Sequence, residues 1–259
     1  MQEANREPTL TDQAFWDHYW ENVSGWQNID TRHSYDRCFD RVFRRWLTPG
    51  PEFKMMEIGC APGRWLIYFY QQFGYQVAGC DSAPQAVNVT RANLARADVP
   101  GEVIFADFMA DTIPAQAYDV VLSLGFIEHF TDPWPVIARH ACLIKPGGML
   151  VLEVPNYTGL NGWILKQSWH RYLDIHNTSV MHLAFFQEIA TRFNLEPRFI
   201  GFVGGPEPGL WDSTGQCFLL RNLIRVASRL RKWMPFLDHV NHSFLSGYLI
   251  GIYQREVHS

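Results

Sequence analysis

Apolar and polar positions along this chain alternate between two rhythms. "FKMMEIG", residues 53–59, is a short continuous apolar run of strand length. "RWLIYFYQQF" then carries bulky apolar residues over helical length and closes at Gly74. "YQVAGCD" reads as a second strand. "PQAVNVTRANLARA" reads as a helix, with Ser82 just ahead of Pro84 as a cap and first-turn pair. "EVIFAD" and "YDVVLSL" predict a third and fourth strand, "WPVIARHACLI" a helix, and "GMLVLEVP" a fifth strand. This alternation at short spacing predicts βαβ units around a parallel sheet covered on both faces.

The flanks follow other patterns. Residues 11 to about 47 read as helical and aromatic, with Tyr35, Phe39, Val42, Phe43 and Trp46 on one face, until "TPGP" stops them. Residues 156–180 read as irregular and rich in Trp, Tyr and His. "VMHLAFFQEIATRF" returns to helix, and "LEPRFIGFVG" and "SFLSGYLIGIYQRE" predict a sixth and seventh strand. "FLLRNLIRVASRLRKWM" reads as a helix inserted between them. The expected architecture is α/β, a doubly wound and mostly parallel seven-stranded sheet in one domain, 1–259. Residues 1–50 form a helical cover, 51–155 the binding core, and 156–259 substrate-side insertions plus the last strands.

Composition narrows the partners. At 259 residues and 47% hydrophobic, the chain can bury a sizeable core. A net charge of −4 argues against nonspecific nucleic-acid binding. The five cysteines show no CxxC pair, which removes the usual zinc and redox signatures. The polar start "MQEANREPTL" has no secretory h-region, and the apolar runs near the C-terminus are too short to span a bilayer. A cytoplasmic protein is expected. Arg221, Arg225 and Arg229 step by four along the inserted helix. Such a helix can associate weakly with an anionic membrane through 219–233, although a solvated Arg face is the commoner explanation.

The chemistry concentrates in "MMEIGCAPGRWLIYF", residues 55–69. A strand, a glycine turn and a helix N-terminus together offer close backbone approach and free N–H groups, at the sheet edge where ligands bind. The spacing E-x-G-x-x-x-G, over Glu57, Gly59 and Gly63, departs from the G-x-G-x-x-G of dinucleotide binders and opposes a nicotinamide dehydrogenase. Asp81 ends the next strand, where a carboxylate can accept both hydroxyls of a ribose. Asp107, ending the third, is placed to shape a base pocket.

"EIGCAPG", "AGCDSAP", "FADF", "YDVVLSLGFIEHF" and "LIKPGGMLVLEVPN" together resemble the ordered motifs of class I S-adenosylmethionine-dependent methyltransferases. The likeness is dense over residues 50–156 and is nearest the small-molecule group that includes ubiquinone-pathway enzymes. It implies a Rossmann-like fold and S-adenosylmethionine as cofactor. It also implies that Glu57, Gly59, Cys60, Ala61 and Gly63 border the methionine part, Asp81 and Ser82 the ribose, and Asp107 and Phe108 the adenine. Leu124, Gly125 and Phe126 would lie near the methyl group. Cys60 and Cys80 also suit plain packing.

The acceptor is less legible. "LGFI" at 124–127 lacks the N/D-P-P-Y/F motif of nucleobase and glutamine nitrogen methylation, and no metal triad can be assembled, so no metal is expected. His129 is a candidate base, set against a structural histidine in the loop after strand four. In the insertion, Trp163, Trp169 and Tyr172 could wall an apolar pocket, and His170, His176 and His182 offer further bases or anchors. The same segment could be a lid packed by its own aromatics. "FWDHYW" is expected to cover the cofactor with Tyr19 or Trp20 turned inward. The expected reaction is methyl transfer to a small, partly apolar acceptor at oxygen. The alternatives are a small thiol, or a non-catalytic protein that only binds a nucleoside or a partner.

Overall fold

The computed structural model describes residues 9–21, 27–109, 113–168, 170–211 and 218–257. Its centre is a seven-stranded sheet of order β3-β2-β1-β4-β5-β7-β6. The strands are β1 (Lys54–Ile58), β2 (Gln76–Asp81), β3 (Glu102–Phe105), β4 (Tyr118–Leu124), β5 (Ile144–Pro155), β6 (Leu195–Val203) and β7 (Tyr248–Arg255). Strands β1 to β5 pair in parallel, and β7 runs antiparallel between β5 and β6. The expected mostly parallel, doubly wound sheet is therefore present.

The near-continuous apolar runs of the central strands have their cause in two layers of helices. On one face lie α2 (Ser34–Trp46), α3 (Arg64–Phe73) and α4 (Pro84–Arg96), packing Phe39, Phe43, Trp65, Leu66 and Phe69 against Val120, Leu122, Val151 and Ile250. On the other, α5 (Trp134–Leu143) and α7 (Leu183–Arg192) pack Val136, Ile137, Phe186 and Ile189 against Met56, Val121 and Leu152. Strands buried on both faces need this composition.

Several expectations are corrected. The helical reading of 11–47 divides into α1 (Gln13–Glu21) and α2, with residues 27–33 non-helical between them. Ser82 is not the cap of α4: Ala83 holds that position, without a side-chain hydrogen bond. Strand β5 begins at Ile144, ahead of the two glycines, because "IKPGG" pairs onto β4 through an irregular register near Tyr118. The segment 156–180 is not wholly irregular, since α6 (Leu160–Ser168) forms within it. The inserted helix is α8 (Phe218–Arg231).

Helix α8 is pinned from one side. Arg231 donates to Asp238 at 2.7 Å and to the Pro206 carbonyl at 2.9 Å. Asp238 also takes Arg37 of α2 at 2.5 Å. Asp238 and Arg231 are buried and Arg37 partly so, so the insertion is held to the body by paired charge and not by apolar contact alone.

Candidate active site

The carboxyl ends of β1, β2 and β4 form one crevice. After β1 the chain turns at Gly59 (φ +67°) and Gly63 (φ +84°), both in the left-handed region, before entering α3. Gly59 and Cys60 donate their N–H groups to the Cys80 carbonyl at 3.0 and 3.1 Å, which lays the loop across the end of β2. A Cβ on Gly59 would lie 2.8 Å from Cδ2 of Phe126, so only glycine lets the loops after β1 and β4 meet this closely. Asn93 of α4 holds the loop from behind through the Pro62 carbonyl, at 2.9 Å.

Glu57 is fully buried under this loop. Its carboxyl accepts the Leu66 N–H in the first turn of α3, and burial, followed by the nearby Asp81, pushes its pKa well above the usual carboxylate range. It positions the loop from below. Cys60 is buried with its side chain against Gly79, so it packs the core and brings only its backbone to the crevice.

Asp81 ends β2 within the crevice. Burial pushes its carboxyl up to about 6, against the lowering effect of N–H groups from Ala83, Ala61 and Ser82; Asp17 of α1 raises it further. Helix α1 therefore stands over this acid, and the N–H of Gln85 in α4 donates to Asp17 at 3.3 Å. Beyond β3, Asp107 accepts the Met109 N–H at 3.0 Å. Phe108 is buried edge-on against Phe126 and His140, so it reaches the crevice only through Phe126.

A second group of side chains gathers after β4. Gly125, with φ +66°, is followed by buried Glu128 and His129, and a Cβ on Gly125 would lie 3.5 Å from Oε1 of Glu128. The His129 ring packs 4.8 Å from His176 and edge-on, 5.0 Å, to Trp16 of α1. Tyr157 closes on His176 at 5.1 Å. Asn177 ties the insertion to this loop through the Glu128 carbonyl at 2.6 Å and the Phe130 carbonyl at 3.1 Å. Burial, then the neighbouring His176, depresses the His129 pKa to about 3. Burial raises that of Glu128 to about 8.

The structure thus unites His129, His176, Gly125 and Phe126 with the glycine loop and Asp81. It does not bring in His182, which is exposed at the start of α7. Tyr19 is half-exposed, its ring 5.8 Å from that of Trp16, and Trp16 is the aromatic that reaches His129. Trp163 is exposed on α6, so it walls no pocket. Trp169 lies outside the described residues, and His170 and Tyr172 fall in the short turn His170–Ile175. Against the expectation of no metal, Glu128, His129 and His176 each bring a ligand atom within 4.8 Å of the others, a donor set that could hold a metal ion. Trp16 was hidden in "FWDHYW" because an aromatic on every face leaves the helix register open, and Tyr157 gave no local signal.

A family model described as a methyltransferase domain matches residues 19–198. The chain belongs to that family. It is a class I methyltransferase by fold, and the family's cofactor is S-adenosylmethionine. The methyltransferase is 34% identical over 107 residues to a ubiquinone biosynthesis O-methyltransferase of Rhodopseudomonas palustris, a match covering 40% of each chain. It is 32% identical over 113 residues to the 27-O-demethylrifamycin SV methyltransferase of Amycolatopsis mediterranei, covering 41% of this chain and 42% of the relative. The matches thus span about two fifths of these curated relatives. Geranyl diphosphate C-methyltransferase from Streptomyces coelicolor shares the fold at TM-score 0.61 and 13% identity, covering 94% of this chain and 97% of that one.

The crevice of this methyltransferase fits the cofactor on its own geometry. Gly59 lets the loop lie against Phe126 without a Cβ in the way, the start of α3 presents N–H groups, and Asp81 brings a half-buried carboxylate to the end of β2, a donor and acceptor set that suits a nucleoside with a charged tail.

Proposed function

We propose that the protein transfers a methyl group from S-adenosylmethionine to a hydroxyl oxygen of a small, partly apolar acceptor. The observation that carries this is His129. Its Nδ1 lies 2.9 Å from the Ile175 carbonyl, which can only accept a hydrogen bond. Neutral His129 therefore carries its proton on Nδ1 and keeps a lone pair on Nε2. That lone pair stands in the group beside Gly125, on the loop that should border the transferred methyl.

S-adenosylmethionine held in the crevice would supply an electrophilic methyl on a sulfonium, with a neutral thioether as leaving group. The acceptor oxygen forms the new C–O bond, and Nε2 of His129 takes its proton. Glu128, which burial keeps protonated near neutral pH, has its Oε1 3.9 Å from that nitrogen and is a neutral polar neighbour of the base. Trp16 and Tyr157 keep water from the histidine pair. The O-methyltransferase names of the curated relatives support oxygen as the acceptor atom.

The test is an acceptor screen with methyl-labelled cofactor across phenols, alcohols, thiols and amines. Label on oxygen is expected. Label on thiols alone would overturn the oxygen assignment. Tight S-adenosylhomocysteine binding with no transfer to any class would favour a binding protein built on this fold.

A further inference from the structure

We propose that α8 and the turn after it form a docking surface for an anionic lipid bilayer. The inner side of α8 is fixed by two residues seven apart, Ile224 and Arg231, both buried. The opposite side is not covered by the described residues. Leu223 and Leu230, seven apart, form one exposed apolar row with Val226 beside it, and Trp233 follows in the turn after the helix, also exposed. Leu223 is 65% exposed and Trp233 75%. Phe236, in the turn Pro235–His239, extends the strip at 63%.

The other outer flank of the helix is cationic, with exposed Arg225, Arg229 and Lys232. From Phe218 to Leu237 the chain holds no Asp or Glu, although the whole protein is net negative at −4. The first acid after it, Asp238, is buried and already paired with Arg231 and Arg37. A contiguous apolar strip beside a row of cations on one helix is the arrangement of helices that lie in a bilayer interface. The apolar strip would enter the acyl boundary and the Arg/Lys flank would meet acidic headgroups. No described helix is long and apolar enough to cross a membrane, so the contact is a surface one. A protein partner with an acidic rim would have the same charge, but so many large apolar side chains left in water beside the cations, Trp233 and Phe236 among them, favour a bilayer.

Co-sedimentation of the full chain with phosphatidylcholine vesicles, with and without phosphatidylglycerol, tests this. Binding to the phosphatidylglycerol vesicles is expected, weakening as salt shortens the screening length. Arg225→Glu with Arg229→Glu, and separately Leu230→Ser with Trp233→Ser, should each cut partitioning at least tenfold. Both variants should keep wild-type affinity for S-adenosylhomocysteine, which reports an intact fold. Failure to sediment with phosphatidylglycerol vesicles at low salt would overturn the proposal. So would a dimer in solution that the Leu230→Ser/Trp233→Ser variant dissociates without any vesicle binding, because a second copy would then cover this face.

Discussion

Nδ1 of His129 is satisfied by the backbone carbonyl of Ile175 at 2.9 Å, so the loop after β4 and the insertion after β5 jointly set which nitrogen of this histidine keeps its lone pair. The bond spans 46 residues of sequence, and no local pattern announces it.

The first prediction follows from that bond. With its pKa depressed to about 3, His129 is already neutral at pH 5. At saturating cofactor, the methyl-transfer rate should therefore be flat from about pH 5 to 8, without the rise near 6.5 that an unperturbed histidine base would give. His129→Ala should lower the rate by about 10²–10⁴-fold with little change in cofactor affinity. A wild-type profile rising through 6.5, or a variant of near-wild-type rate, would remove His129 as the base.

The second concerns Asp81. Only the ionised carboxylate accepts two ribose hydroxyls without competing for a proton. In the free protein its pKa sits at about 6, raised chiefly by burial. Cofactor affinity, measured by calorimetry, should rise roughly tenfold from pH 5 to pH 7, as the competent fraction grows. Asp81→Asn should bind at least tenfold more weakly at pH 7 and lose this pH dependence. Equal slopes in both proteins would mean that another group titrates.

The crevice was legible because its parts lie close together in sequence. Glu57, Gly59, Gly63 and Asp81 fall at the ends of two adjacent strands, and alternating apolar runs announce those strands. The buried histidine cluster was less so, because it is assembled from Trp16, His129, Tyr157 and His176, which lie on α1, on the loops after β4 and β5, and in the later insertion. Aromatic and histidine residues abound in "NGWILKQSWHRYLDIHNTSVMH", and their spacing does not distinguish His176, which is buried, from His182, which caps a helix in solvent. Helix α6 was missed because its glycine and its flanking turn residues mask a short helical face.

The third prediction is a linkage effect at Glu128. Burial raises its folded pKa to about 8, above the ordinary carboxylate value. The folded state therefore holds this proton more tightly than the unfolded chain. The stability gained is full below about pH 4.5 and is lost as pH rises through 8. Between pH 6.5 and 8 the loss from this group approaches about 1.4 kcal/mol per pH unit. Glu128→Gln keeps the shape and removes the proton, so its melting temperature should fall less than that of the wild type over this range. Parallel curves would show that Glu128 is ionised in the fold.

The last prediction separates space from backbone conformation at the glycine loop. Gly59 has φ +67°, which a residue with a Cβ adopts at a cost of about 1–2 kcal/mol. A Cβ there would also lie 2.8 Å from Cδ2 of Phe126, closer than real side chains approach. Gly59→Ala should thus shift the loop off the end of β2 and weaken S-adenosylhomocysteine binding by more than tenfold. Phe126→Leu alone should keep cofactor binding within a few-fold, because Phe126 faces the loop and not the ribose acid. In the double variant the clash is relieved and the conformational cost is not. Its affinity should therefore recover only in part, and a double-mutant cycle should show a favourable coupling of about 1 kcal/mol or more. Full recovery would mean that the left-handed turn is dispensable and that the clash alone enforces glycine. No recovery would place the whole effect in the backbone, and would make the close approach of the two loops incidental to binding.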